Sequence, residues 1–159
     1  MNLRKRIDRF MEIFLPGLMA ILVLDVLWQV ISRYVMKMPS SFTDELAGFL
    51  LIWVGLFGAA YVAGKDEHLA IDLLLQRSSE QRRRGLRIAI HVCIFFFAST
   101  VMVAGGSWLV YTRFMLSVKS AALQIPLGYV YLVLPLSGAL ICYYAADDLL
   151  KWIKLKPQH

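Results

Sequence analysis

Four separate stretches of this sequence are nearly free of charge, and each is about as long as a lipid bilayer is thick. They are residues 13–31, 46–63, 88–111 and 127–146. A helix needs roughly 20 mostly apolar residues to cross the hydrocarbon core. Backbone groups find no water there, so a crossing segment must satisfy its own hydrogen bonds as a helix. The pattern predicts an all-α integral membrane protein with one domain of four transmembrane helices.

Composition supports a membrane protein and argues against a nucleic-acid partner. Of the 159 residues, 59% are hydrophobic, whereas soluble domains average about 45–50% apolar residues. The formal net charge is +6, but the basic residues flank the apolar stretches, as is typical of residues that orient a membrane protein. Cys93 and Cys142 both lie inside apolar stretches, which favours buried small hydrophobic side chains over a disulfide framework.

The distribution of lysine and arginine predicts the orientation. With four crossings, thirteen of the 17 basic residues fall at the two termini and in the loop between the second and third helices. The other two loops contain only Arg33, Lys37, Arg113 and Lys119. Because basic loops stay in the cytoplasm, we expect both termini on the cytoplasmic side. The first segment reads as an uncleaved helix and not as a signal peptide, since no small-residue cleavage site follows it.

The long cytoplasmic loop contains the sequence HLAIDLLLQ, residues 68–76. Its leucines and isoleucine stand beside a charged flank, which favours a short amphipathic helix on the membrane surface. The alternative is a simple extension of the second helix.

The second helix carries small residues on one face. Gly48, Gly55, Ala59 and Ala63 are spaced by seven, four and four residues, and such faces let another helix approach closely in lipid. A contact within the four-helix domain and a contact with another subunit are equally consistent with this pattern. Trp53 lies near the middle of the same helix, where a tryptophan usually packs against protein and seeks an acceptor for its N–H.

Polar residues recur along one side of the first helix. Asp25, Gln29 and Arg33 follow each other at intervals of four, and Ser32 joins them. Such a stripe is costly in the bilayer and normally faces protein or a cavity. We favour a structural anchor at Asp25 over a proton-coupling carboxylate, because a transport site needs polar groups from several helices.

The sequence contains no convincing catalytic or cofactor site. Asp44 and Glu45 open the second helix, where carboxylates favour the positive end of the helix dipole. A haem held between two histidines would need one in each of two facing helices. Only His91 lies in a span, whereas His68 is in a loop and His159 is terminal. We therefore expect neither an enzyme nor a bound cofactor or metal.

Two stretches resemble a known family. They are TDELAGFLLIWVGLFGAAYVAGKDEHLAID and SAALQIPLGYVYLVLPLSG. An acidic residue opening the second helix, then a tryptophan, a glycine–alanine stretch and a charged turn with His and Asp resemble the small membrane subunit of tripartite ATP-independent periplasmic (TRAP) transporters. In this sequence the matching residues are Glu45, Trp53, 58–60, His68 and Asp72. The resemblance covers nearly the whole chain.

The resemblance implies a non-catalytic scaffold subunit in the bacterial inner membrane. Such a subunit would support a much larger membrane subunit, which carries the substrate and sodium sites and moves as an elevator. It would help dock a soluble periplasmic binding protein that delivers an organic acid, such as sialic acid or a C4-dicarboxylate. Membrane lipids would surround the parts of the chain that contact neither partner.

Two groups of residues are expected to serve these contacts. Those expected at the partner-subunit interface are Asp25, Gln29, Glu45, Gly48, Trp53, Gly55, Ala59, Ala63, His68 and Asp72. Those expected to dock the periplasmic protein are Lys37, Asp44, Arg113 and Lys119.

A different class of function is also consistent with the sequence. A small homodimeric exporter could couple efflux to protons through Asp25 in its first helix. The long charged loop and the polar residues aligned with Asp25 argue against it.

Overall fold

Helices account for most of the chain that the structure describes. The computed structural model describes residues 2–38, 40–65 and 80–154. The first two helices are α1, Asn2–Tyr34, and α2, Ser41–Gly64. The third span comprises α3, Glu80–Phe97, a π-helix, Ala98–Gly105, and α4, Gly106–Met115. The fourth comprises α5, Leu127–Tyr131, and α6, Val133–Lys154.

Four of these helical segments are long and apolar enough to cross a membrane. They are Leu3–Tyr34, Ser41–Gly64, Gly85–Met115 and Leu127–Lys151. The all-α, four-span fold class is therefore confirmed. Each helical segment continues past the apolar stretch that predicts it, since a helix does not end where the hydrocarbon ends. The amphipathic helix predicted over residues 68–76 lies outside the described residues.

The fourth span occupies the centre of the bundle. α6 packs against α2, α3 and the π-helix, whereas α1 packs mainly on α2. In the most apolar part of the fourth span, 33% of the residues are buried inside the bundle, compared with 11% in the corresponding part of each of the other three spans. The largest fully buried side chains, Val133, Ser137 and Tyr144, all belong to α6. The outer spans thus leave most of their apolar surface uncovered by the described part of the chain.

The fourth span is interrupted at Leu132, between α5 and α6. Pro135 has no N–H to donate to the carbonyl of Tyr131, so the helical hydrogen bonding fails one turn before the proline. The indole Nε1 of Trp53 donates a 3.0 Å hydrogen bond to the carbonyl of Val130 in the same turn. A side chain from α2 thereby satisfies a backbone group beside the break.

The third span widens into a π-helix over eight residues. At its start, the hydroxyls of Ser99 and Thr100 both donate to the carbonyl of Phe96, over 3.0 and 2.7 Å. Hydroxyls that bond back in this way compete with the backbone ladder and distort helices. The widened segment packs closely on α6, where a Cβ added at Gly138 would lie 2.6 Å from Cβ of Met102.

Candidate functional site

The bundle has two polar ends, and each is held together by charged side chains. We call the end with residues 33–45 and 113–127 the loop end, and the end with residues 3–12, 61–65 and 143–151 the terminal end. Between them lies an apolar surface. Among the described residues, no group of three histidines, cysteines, aspartates or glutamates could hold a metal ion.

Glu45 fastens the loop that joins the third and fourth spans to the first turn of α2. Its Oε1 accepts the backbone N–H of Ala121 at 3.0 Å, and its Oε2 accepts those of Ala122 and Leu123 at 2.9 and 2.7 Å. Hydrogen bonds to an ionised carboxylate are among the strongest that proteins make. The structure gives Glu45 an intrachain contact of this kind, and its contact with a partner subunit stays a prediction.

Asp44, the neighbour of Glu45, holds the other loop of this end. Nη2 of Arg33, near the end of α1, lies 3.2 Å from Oδ1 of Asp44. Both side chains are about half exposed, and ion pairs of this kind contribute about 0–1 kcal/mol. The pair positions the turn between α1 and α2 more than it stabilises the fold.

The remaining residues predicted for docking lie at the same end. Lys37 and Lys119 are exposed, and the backbone of Lys37 has a positive φ of 53°. The guanidinium of Arg113 lies 5.7 Å from the ring centroid of Tyr131, and its buried Nε has no hydrogen-bond partner among the described residues. The two lysines thus face solvent, whereas Arg113 packs against the chain.

The polar stripe of α1 is half-buried at Asp25 and Gln29. Oδ2 of Asp25 is buried and accepts no hydrogen bond within the described part of the chain. Ser32 is buried, and its hydroxyl donates a 2.9 Å hydrogen bond to the carbonyl of Gln29 in its own helix. These residues do not converge with polar groups of other spans into a binding site in the described structure.

The small-residue face of α2 points away from the other described residues. Gly48, Gly55 and Ala59 are exposed, and a Cβ added at either glycine would meet no atom within 4 Å. Leu51, with 62% exposure, and Val62, with 46%, lie along the same side. We call these five residues the α2 outer face. The sequence leaves two alternatives for the small residues, a contact within the four-helix domain or a contact with another subunit. Gly48 and Gly55 make no contact of the first kind within the described chain.

The opposite face of α2 packs inside the bundle. Phe57 and Ala60 are buried, and the ring of Trp53 lies edge-on to that of Phe57, with centroids 5.8 Å apart. Ala63, the last residue of the predicted small-residue face, is half-buried. Trp53 thus has its N–H acceptor inside the chain at Val130. His68 and Asp72, the other residues predicted at the interface, lie outside the described residues.

An apolar groove of about 720 Å³ runs between α1, α2 and α6. Phe10, Phe14, Trp53 and Phe57 supply aromatic walls, and Arg6 is the charged residue of the lining. A surface of this composition suits contact with lipid chains or with another apolar helix.

At the terminal end, Arg4 joins three helices. Its Nη1 lies 2.6 Å from Oδ2 of Asp147 and also contacts Asp148, and its Nη2 donates to the carbonyl of Gly64. Lys151 completes the cluster, 2.6 Å from Asp147 and 2.9 Å from Asp148. Sequence reasoning misses this cluster, because Arg4 and Lys151 are among the thirteen basic residues to which the sequence assigns only a role in orientation. Two adjacent aspartates at the end of an apolar span were the available signal.

Comparison with known proteins places the chain in a family. The family model described as tripartite ATP-independent periplasmic transporters, DctQ component, matches residues 22–155. The chain belongs to this family. It is therefore a multi-pass membrane protein of the kind that forms the small subunit of TRAP transporters, which is not a known enzyme class.

Relatives of this DctQ-family chain have different substrates in their names. The sialic acid TRAP transporter small permease protein SiaQ of Vibrio cholerae is 24% identical over 96% of this chain and 87% of its own length. The C4-dicarboxylate TRAP transporter small permease protein DctQ of Rhodobacter capsulatus is 28% identical over 63% of this chain and 44% of its own length. The isethionate TRAP transporter permease protein DctMQ of Oleidesulfovibrio alaskensis is 24% identical over 92% of this chain, which spans 24% of that protein.

Proposed function

We propose that this chain is a non-catalytic scaffold subunit of a sodium-driven TRAP transporter in the bacterial inner membrane. It supports a larger membrane subunit, which contains the translocation pathway, and its loop end helps dock a soluble periplasmic binding protein. The transported solute is an organic anion. The names of the relatives support this class, since sialic acid, C4-dicarboxylates and isethionate are all anionic at neutral pH.

The observation that carries the proposal is the α2 outer face. Gly48, Gly55 and Ala59 form a shallow surface on which no part of the described chain packs. Small residues at such positions let a second helix approach closely, which is a main source of helix association in lipid. The family supplies the identity of that helix, because a TRAP small subunit accompanies a large membrane subunit. The DctMQ relative is consistent with this, since the chain matches a 24% share of a longer permease protein.

Affinity purification tests this assignment. The tagged chain, extracted from its native host in mild detergent, should retain a larger membrane protein in a stoichiometric complex. Gly55→Leu fills the shallow surface and should reduce the recovered partner by about fivefold or more, since a misfitting side chain costs about 1–3 kcal/mol. Gly17→Leu is the matched control, because Gly17 on α1 is also exposed with no atom within 4 Å of an added Cβ.

Equal recovery of the partner with Gly55→Leu and with wild type would reject α2 as the interface. Vesicles that contain this chain alone should move no solute. Their transport of an organic anion down an ion gradient would contradict a scaffold role.

A second candidate function rests on Asp25. Its Oδ2 is buried without a hydrogen-bond donor in the described structure, as expected of a carboxylate that exchanges protons in a small homodimeric exporter. The scaffold is preferred, because family membership points to a TRAP subunit and no polar groups of other spans gather around Asp25 in the described residues.

A further inference from the structure

Two consecutive carboxylates at the start of α2 organise the whole loop end. Asp44 pairs with Arg33 and holds the turn after α1. Glu45 accepts three backbone N–H groups from residues 121–123 and holds the loop before α5. Because the two residues are neighbours in one helical turn, the end of α1 and the loop before α5 both contact the start of α2.

The loop held by Glu45 has a defined shape of its own. Ser120 N donates to the carbonyl of Ile125, and Leu127 N donates to that of Val118, both over 2.9 Å. Inside this closed turn, Gln124 has a positive φ of 56°, and its side chain donates to the carbonyl of Ala121 over 2.9 Å. The carboxylate of Glu45 is the contact that ties the tip of this turn, residues 121–123, to another helix.

Charge at the loop end is unbalanced once these contacts are made. Asp44 is paired with Arg33, and both oxygens of Glu45 are occupied by backbone donors. Lys37 and Lys119 are exposed on the two loops, and no ion pair in the described structure includes either of them. The loop end has four basic residues, Arg33, Lys37, Arg113 and Lys119, against two carboxylates, Asp44 and Glu45. The surface is therefore positively charged, and it suits an acidic partner surface.

We propose that Glu45 is a positioning residue that holds residues 117–126 in the shape on which an acidic face of the soluble binding protein docks. This inference rests on the proposed function and specifies its docking site. A folded protein surface requires a loop of fixed shape, whereas mobile lipid head groups do not. The three hydrogen bonds of Glu45 provide that fixed shape, and the lysines provide charge complementarity.

The test uses the chain assembled with its large subunit in nanodiscs, and as probe the secreted solute-binding protein of the same transporter. Glu45→Gln puts an amide NH₂ where a carboxylate oxygen accepts, so at least one N–H loses its acceptor. Amide hydrogen exchange at residues 121–123 should accelerate about ten- to a hundredfold, since a hydrogen bond to a charged group contributes about 1.5–3 kcal/mol. The dissociation constant of the probe should rise about tenfold, because the docking surface loses its fixed shape.

Two further variants separate loop shape from charge. Lys119→Glu leaves the contacts of Glu45 intact, so exchange at residues 121–123 should not change, while probe binding should weaken, with a difference from wild type that shrinks as salt increases. Glu12→Gln is the matched control, because this carboxylate accepts a hydrogen bond from Tyr61 at the terminal end. It should change neither exchange at residues 121–123 nor probe binding.

Each other outcome overturns the inference. Unchanged exchange in Glu45→Gln would show that Glu45 does not hold the loop. Faster exchange with unchanged probe binding would show that the loop is not the docking surface. A loop whose protection depends on anionic lipid in the nanodisc, with probe binding insensitive to both variants, would assign the surface to lipid. Absence of a large subunit from the purified wild-type chain would instead contradict the proposed function itself.

Discussion

Arg4 makes polar contacts with three residues at the terminal end. It contacts Asp147 and Asp148 on α6 and the last carbonyl of α2, at Gly64. The side chain of Asp148 is only 4% exposed, so its charge depends on these partners in place of water. Tyr144 adds a second link by donating to Asp8 on α1 over 2.6 Å. One arginine thus joins the ends of three helices.

Arg4→Ala should lower the free energy of unfolding by about 2 kcal/mol. The change removes hydrogen bonds to charged groups and leaves the nearly buried carboxylate of Asp148 with Lys151 as its remaining cationic partner among the described side chains. Denaturation by SDS in mixed micelles, followed by helical circular dichroism, measures this difference. Arg9→Ala, on an exposed side of α1, is the control and should change the unfolding midpoint by less than about 0.5 kcal/mol. Equal midpoints for the two variants would refute the role of Arg4.

At this scale the sequence predicts residue types better than partners. The sequence shows Glu45 as an acidic residue at the start of a helix, but its partners lie 76–78 residues away. Arg4 and Asp147 are separated by 143 residues. Local rules such as the helix dipole describe what a carboxylate favours within one turn. They contain no information about which distant loop the fold brings to it.

The helices themselves follow from simple physics and are predicted well. Length and hydropathy decide that four segments must cross a bilayer as helices, and the structure contains four such segments. The π-helix was not predicted, because hydropathy depends on residue type alone and is the same for an α-helix and for a π-helix. Ser99 and Thr100 were the available signal, since both hydroxyls donate hydrogen bonds to the carbonyl of Phe96. Which face of α2 packs inward also depends on the position of α6, which the pattern of α2 alone does not contain.

Glycines on α2 and α6 should respond oppositely to the same substitution. Gly138→Ala would place Cβ 2.6 Å from Cβ of Met102 and 3.2 Å from its backbone carbon, so α6 and the π-helix must separate. We expect the free energy of unfolding to fall by about 1–3 kcal/mol, measured by the same micelle denaturation. Gly48→Ala meets no atom within 4 Å and serves as control. It should be neutral or stabilise by up to about 1 kcal/mol, since alanine favours helix. A destabilisation of equal size in both would contradict this packing.

Taken as a whole, the molecule divides its charges between two ends with different tasks. At the terminal end, Arg4 of α1 pairs with Asp147 and Asp148 of α6 and closes the bundle. At the loop end, the carboxylates Asp44 and Glu45 are used to fix loops, and two lysines are left exposed. The middle is apolar and largely uncovered. This arrangement suits a subunit that adheres to a neighbour in the bilayer and presents a shaped surface on one side of it.

Orientation is the property on which the docking assignments depend. The sequence predicts that thirteen of the 17 lysines and arginines lie on the side of the termini, and basic residues near the ends of spans resist translocation. In a chain whose two cysteines, Cys93 and Cys142, are replaced by alanine, Lys119→Cys should react with a membrane-impermeant maleimide at the periplasmic face of intact cells. Arg6→Cys, at the opposite end, should react only after the inner membrane is opened. The reverse labelling pattern would place the loop end in the cytoplasm, where no periplasmic protein reaches it. In that case the exposed lysines and the loop held by Glu45 would have to serve a cytoplasmic contact.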